Sequence, residues 1–210
     1  VHAATLKPES YQKIAATGGT VSVACESEQS AGQGYPSTWE LRKYGITASL
    51  SMDTSVWWSA DFFSAMRATL SADRSRDHLE AHAKNETITA NRLRAEDVVW
   101  MATMGGATSL GMESTIGSIA PAMTPILHPY AHVAYQAGTA DVHTVVVNGR
   151  VLKYDGTRIG LDIAPARDAV AKSVEYVRSQ LGEQAWEEGM HPVLEPEAEI
   201  ENPYKYTEGT

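Results

Sequence analysis

A parallel α/β fold is predicted by three features of the first 70 residues. Two short β-branched runs, residues 20–24 and 46–50, each follow a helical stretch closed by glycine. Each run ends in a polar loop, and each loop leads to another amphipathic stretch. Repetition of strand, loop and helix is the pattern of parallel βαβ units, in which the helix carries the chain back to start a neighbouring strand. Such proteins keep their chemistry in the loops at the strand ends.

The elements come in the following order. Residues 8–16 are expected to be helical, with Tyr11, Ile14 and Ala15 on one face and Gly18-Gly19 as the stop. Residues 20–24 read as a buried strand and 27–34, rich in Gly, Ser and Gln, as a loop. A second helix over 37–43 closes at Gly45, and the strand at 46–50 runs into Ser51-Met52-Asp53. A third helix covers 61–70, and the charged stretch 71–92 reads as helix plus loop. Residues 95–110 form one helix, with Glu96 and Asp97 complementing the dipole of its first turn. Its face of Val98, Met101, Ala102 and Gly105 is narrow, and Gly106 and Ala107 extend its capacity for close packing. Residues 142–147 and 150–154 flank Asn148-Gly149, the pair that favours a tight hairpin turn. Residues 165–181 form a long amphipathic helix, and an extended Pro/Glu-rich tail completes the chain.

Composition narrows the function. The net charge of −9 argues against binding a phosphate backbone, which calls for a basic face. Much of the acidity lies after Gly182, in a solvated tail. Cys25 is the only cysteine, so an intrachain disulfide is impossible. No signal peptide or membrane-spanning run is visible, and the expectation is a soluble cytoplasmic protein with no membrane partner. The chain opens at Val1-His2 without an initiator Met, and this reads as a fragment or processed piece.

Asp53 is the leading chemical candidate. An Asp after a buried strand is ordinarily a turn residue or a cap. Here Trp57 and Trp58 come shortly after it, so a carboxylate at a strand end faces an aromatic wall. That arrangement suits a hard metal ligand beside a pocket. His2, at the end of a strand cut by the chain start, is the second candidate, against an ordinary structural histidine. His78 and His82 have zinc-helix spacing, but Glu80 is misplaced for a zinc-protease motif and a solvated face is favoured. His128 and His132 read as packing residues, Cys25 as a small core residue and the methionines as core filler.

Taken in order, these pieces resemble the later strands of the amidohydrolase superfamily, in its cytosine deaminase, adenosylhomocysteine deaminase and triazine hydrolase branch. The resemblance rests on a strand ending in His2 and a strand ending in Cys25-Glu26-Ser27-Glu28 with Gly34 beyond. A third strand then ends in Asp53, with Asp61 and Met66-Arg67 after it. ATMGGATSLG at 102–111, IGSI at 116–119 and VVVNGRV at 145–151 complete the set, which covers about residues 1–160.

The resemblance implies the C-terminal part of a metal-dependent (β/α)8 barrel: strands 6–8 and their helices over 1–112, elements of a small β-sandwich over 113–160, and a C-terminal helix with an acidic tail over 161–210. It implies Asp53 as catalytic residue and metal ligand, with zinc ahead of iron as the metal. His2 would be catalytic and contact the attacking water or the substrate. Ser27 and Glu28 align with a Ser-Asn pair of the family. Glu28 in place of Asn exchanges an amide for a pure acceptor and points to a substrate that presents N–H donors. Trp57 and Trp58 would stack on a flat heterocycle or pack the barrel rim.

The implied reaction is deamination of an aminated purine, pyrimidine or triazine-like ring by a homo-oligomeric enzyme. Hydrolysis of a C–Cl, C–N or cyclic amide bond on the same fold is the alternative. A non-catalytic fragment is the reading from another class, because the family's first-strand His pair and fifth-strand His are not in this sequence. The segment after Pro121 also departs from the family, with Ala122-Met123-Thr124-Pro125 where Gly-Lys and Ala-Asp are usual.

Overall fold

The computed structural model describes residues 1–54, 58–118 and 128–192. Trp57, the departure at 122–125 and the acidic tail beyond 192 lie outside the described residues. The chain forms two compact units, Val1–Thr157 and Arg158–Thr210.

The first unit begins with α1 (Pro8–Ala16), β1 (Val21–Val23), α2 (Cys25–Ser30), α3 (Thr38–Lys43) and β2 (Ala48–Leu50). The two strands pair in parallel, Val21 with Ala48, Ser22 with Ser49 and Val23 with Leu50. The expected crossover is therefore present, and α2 and α3 supply it. Val21, Val23 and Leu50 are buried with Tyr11, Leu70 and Val98 in one core cluster.

Several boundaries differ from the sequence expectation. No strand contains His2; residues 1–3 are irregular. Cys25 opens α2 rather than ending a strand, so half of the expected loop is helix. Its glutamates at 26 and 28 lie in the first turn, where the helix dipole favours negative charge. The second strand starts at Ala48, not Ile46.

The third helix, α4 (Phe62–His82), is twice as long as expected and absorbs the charged stretch. Asp61 caps it, accepting from the Phe63 amide at 3.0 Å and the Ser64 hydroxyl at 3.0 Å. Charged positions are tolerated on its inner face because they are paired. Buried Asp73 accepts from the Thr38 hydroxyl and from Arg42 at 3.2 Å, while Arg76 binds Glu40 through two nitrogens at 3.1 and 2.7 Å.

The expected single helix over 95–110 is two, α5 (Ala95–Ala102) and α6 (Met104–Ser109). The break is at Thr103 (φ −126°, ψ −91°), whose hydroxyl donates back to the Val99 carbonyl at 2.7 Å. Gly105 then lies directly against the backbone of β2, where an added Cβ would collide with the Ala48 carbonyl and the Trp100 ring. Gly106 faces open space, so only the first glycine serves close packing.

Beyond α7 (Pro129–Ala131) a π-helix spans His132–Gln136. Arg67 donates to the Ala137 carbonyl at 2.8 Å and thereby ties this segment to α4. The hairpin forms as expected but starts later, with β3 (Val145–Val147) antiparallel to β4 (Arg150–Tyr154) across Asn148 (φ 48°) and Gly149 (φ 74°). β5 (Thr157–Arg158) comes next.

In the second unit α8 (Ala164–Leu181) is the expected long helix. The segment directly after Gly182 is helical rather than extended: α9 (Glu183–Met190) turns away at that glycine, and Arg178 holds Glu183 across the corner. No helix among the described residues is long and apolar enough to cross a membrane.

Candidate active site

The ends of β1 and β2 and the chain start converge on one small cluster. β2 delivers Leu50 and Ser51, and the Ser51 hydroxyl accepts from the Asp53 amide at 3.0 Å. This bends the chain so that Asp53 adopts the left-handed conformation (φ 54°), uncommon for a residue with a side chain. Thr54 donates to Asp53 Oδ1 at 3.2 Å, which leaves Oδ2 to face His2.

His2 is placed by α1. The buried Tyr11 ring stacks on Tyr44, and its hydroxyl donates to the Ala3 carbonyl, which also accepts from the Leu6 amide at 3.1 Å. With Ala3 fixed, His2 also turns through a left-handed conformation (φ 64°). Its Nε2 lies 3.5 Å from Asp53 Oδ2, and its Nδ1 lies 3.7 Å from Glu28 Oε1. His2 therefore stands between two carboxyl groups. The His2 and Asp53 side chains are 34% and 30% exposed, whereas that of Glu28 is 0% exposed.

Glu28 comes from the first turn of α2, directly beyond β1. Its Oε1 accepts from the Ala24 amide at 3.3 Å, while Oε2 has no partner among the described residues. Burial pushes the Glu28 carboxyl above its ordinary value, opposed by the Ala24 amide and by His2. Ser27 is also buried and donates to the Ala24 carbonyl at 3.0 Å. Neither side chain lines an open surface.

Trp58 lies in the loop after Asp53, with its indole Nε1 buried and without a partner among the described residues. Ser59 of the same loop donates to Glu26 at 2.7 Å and straps the loop to α2. Sequence reasoning missed Tyr11 as the anchor of His2, since its spacing showed only a helix face. It also missed the strap from Ser59 to Glu26, for which the sequence carries no signal.

The decoys separate cleanly. His78 and His82 are exposed on α4, as expected, whereas His132 is exposed rather than packed and meets Gln136 at 2.7 Å. Cys25 is buried, and burial with the nearby Glu28 pushes its thiol up to about 12. Met66 and Met101 are core residues, but Met112 and Met190 are exposed. A cavity of about 280 Å³ lies at the opposite, N-terminal end of β2, between Ile46, Thr47, Ala48, Trp100 and Met101. Its two charged groups are already engaged, Arg42 with Asp73 and Asp97 with the Arg94 amide.

Likenesses of sequence and of structure bear on the His2 cluster. The 5-methylthioadenosine/S-adenosylhomocysteine deaminase of Syntrophobacter fumaroxidans is 30% identical over 108 residues, 45% of this chain and 24% of that protein. The enzyme of the same name from Halobacterium salinarum is 26% identical over 183 residues, 81% of this chain and 40% of that protein. The chain thus spans between a quarter and two fifths of these relatives. A zinc-bound adenosine deaminase from Xanthomonas campestris superposes with a TM-score of 0.67 at 21% identity, over 83% of this chain and 41% of that one. An atrazine chlorohydrolase from Arthrobacter aurescens, also with zinc, gives 0.61 at 19% identity, over 80% and 38%. The two superpositions show that the chain shares a fold with these proteins. The profile of the amidohydrolase family matches residues 1–152, a span that contains β1, β2 and all three members of the His2 cluster, and the chain belongs to that family.

Proposed function

We propose that the chain carries barrel strands 6–8 of a metal-dependent hydrolase that removes ammonia from an aminated heterocycle. β1 and β2 would be the seventh and eighth strands, and the segment at Val1 the end of the sixth. One observation carries the reading: His2 Nε2 and Asp53 Oδ2 face each other at 3.5 Å beyond the ends of two parallel strands.

The donor set fits a divalent metal in part. Asp53 Oδ2, which Thr54 leaves free, is an oxygen donor of a kind that zinc takes. Among the described residues no group of three or more His, Cys, Asp and Glu could hold an ion, so Asp53 would be one ligand of a set completed by other groups. A bound zinc would supply water that ionises near pH ~7.

The chain's own residues do the rest. Asp53 accepts a proton at Oδ2 and delivers it to the leaving amine. His2 orients the attacking water at Nε2, on the side away from the protein interior. Trp58, in the loop after Asp53, would stack on the ring with its indole N–H buried away from it, and Trp57 is beside it in sequence. Ser27 and Glu28 act from beneath the pocket, in keeping with their burial. The relatives named for methylthioadenosine and adenosylhomocysteine support an aminated purine nucleoside as the substrate class.

The test measures zinc content and ammonia release from the purified chain across adenosine derivatives, guanine and aminotriazines, with a chlorotriazine tested for chloride release. Asp53→Ala is expected to lose zinc and activity together. Zinc retained at wild-type level in that variant would remove Asp53 from the ligand set. No zinc and no product from the wild type would favour a non-catalytic piece.

A further inference from the structure

We infer that His78 and His82 form a chelating pair for a late first-row divalent cation, on the outer face of α4 and apart from the proposed catalytic site. The two residues stand four positions apart in a regular α-helix, so their side chains leave one face a turn apart. Both are exposed, and their ring centres lie 6.2 Å apart with the planes at 73°. Neither ring makes a hydrogen bond or an ion pair among the described residues, so turning towards a shared ion breaks no existing bond. A metal takes imidazole nitrogens at ~2.1 Å, and two solvent-facing rings so placed reach one ion by side-chain rotation alone.

The surroundings favour a cation there. His82 closes the last turn of α4, at the negative end of the helix dipole. Arg74, one turn before His78, is engaged by the Tyr135 ring and hydroxyl, and Arg76 by Glu40 and Glu80. The chain's net charge of −9 raises the local concentration of cations around it.

The ligand type sets the ion. Imidazole nitrogen suits copper, nickel and zinc, whereas magnesium and calcium take oxygen. No third His, Cys, Asp or Glu joins the pair among the described residues, so water completes the shell. Glu80 stands between the histidines in sequence, but its carboxylate accepts from Arg76 at 3.3 Å. The pair therefore binds an ion without a general base beside it, and no catalytic step belongs to it.

Nickel(II) titration of the purified chain by isothermal calorimetry, in neutral buffer free of chelators, tests the pair. Wild type and Asp53→Ala are expected to bind nickel at this site equally, with copper(II) tighter and magnesium not bound. His78→Ala and His82→Ala should each weaken the binding by about tenfold or more, because a single imidazole loses the chelate. His82→Ala combined with Ala83→His keeps the number of histidines but moves one off the shared face, and should match His82→Ala. Alanine is a good helix former at such exposed positions, and circular dichroism checks that α4 persists.

No nickel binding by the wild type, an unchanged affinity in either single variant, or full affinity in the shifted variant would each overturn the pair. Loss of nickel in Asp53→Ala with both histidines intact would place the ion at the proposed catalytic site and overturn it too. The pair does not depend on that site: nickel held by His78 and His82 in a chain without zinc-dependent activity upholds it while the proposed function fails.

Discussion

Replacing Gly105 with alanine drives a methyl group into the backbone of the strand that carries Asp53. The added Cβ would lie less than 3.0 Å from the Ala48 carbonyl oxygen, and at 2.9 Å from the Trp100 ring. Trp100 is partly exposed and can swing away, but the Ala48 carbonyl belongs to β2. Ordinary contact begins near 3.4 Å, so β2 or α6 must retreat by at least about 0.4 Å. Overpacking of this kind costs about 1–3 kcal/mol.

Gly106 is the control, because a Cβ there meets nothing within 4 Å. Both substitutions gain about 0.8–1 kcal/mol of helix propensity, so their difference isolates the clash. At about 2–4 °C per kcal/mol for a chain of this length, Gly105→Ala should melt some 2–12 °C below Gly106→Ala by circular dichroism. Equal melting temperatures for the two variants would show that α6 does not rest on β2 as described.

Alkali should weaken the fold through Cys25 and Tyr11. Burial is the leading cause that raises both groups to about 12, from ordinary values of 9.0 and 10.0. Unfolded chains therefore lose these protons first. Their contribution is fully present below about pH 9 and is lost as the pH rises towards about 12. Melting temperature should fall over that window, and Cys25→Ala should flatten the decline; a slope unchanged in that variant would exclude the thiol as a source. At Asp53 the left-handed backbone makes a further distinction: Asp53→Gly should be about 1 kcal/mol more stable than Asp53→Ala, because only glycine accepts that conformation without strain. Chemical denaturation of both variants checks it, and a more stable alanine variant would contradict the strained turn.

The elements that were legible in the sequence are those whose signals are local. β-branched runs after glycine stops found β1 and β2 because both are buried within a parallel pair. Asn148-Gly149 found the hairpin because both residues take left-handed conformations there. The features that escaped depended on contacts distant in sequence. The length of α4 rests on Arg42 and Glu40 pairing with Asp73 and Arg76, more than 30 positions away, so its charged sequence alone resembled a loop. The break at Thr103 is a hydroxyl competing with a backbone amide, which pattern reasoning over 95–110 does not register.

At the site the residue types were legible and their connections were not. His2, Glu28 and Asp53 were each visible as candidates, but only the fold shows that the histidine stands between the two acids. The backbone of this cluster is unusual. His2 and Asp53 both occupy left-handed conformations at its centre, and such strain persists where the surroundings over-determine it. Glycine would relieve it at both positions, as it does at the turns of Gly18 and Gly45. The surroundings here are the Tyr11 bond to the Ala3 carbonyl on one side and the Ser51 hydroxyl on the other. Each holds one strained residue with its side chain turned towards the other. Under the proposed function, a cation held by Asp53 would supply a reason for keeping both residues in these conformations.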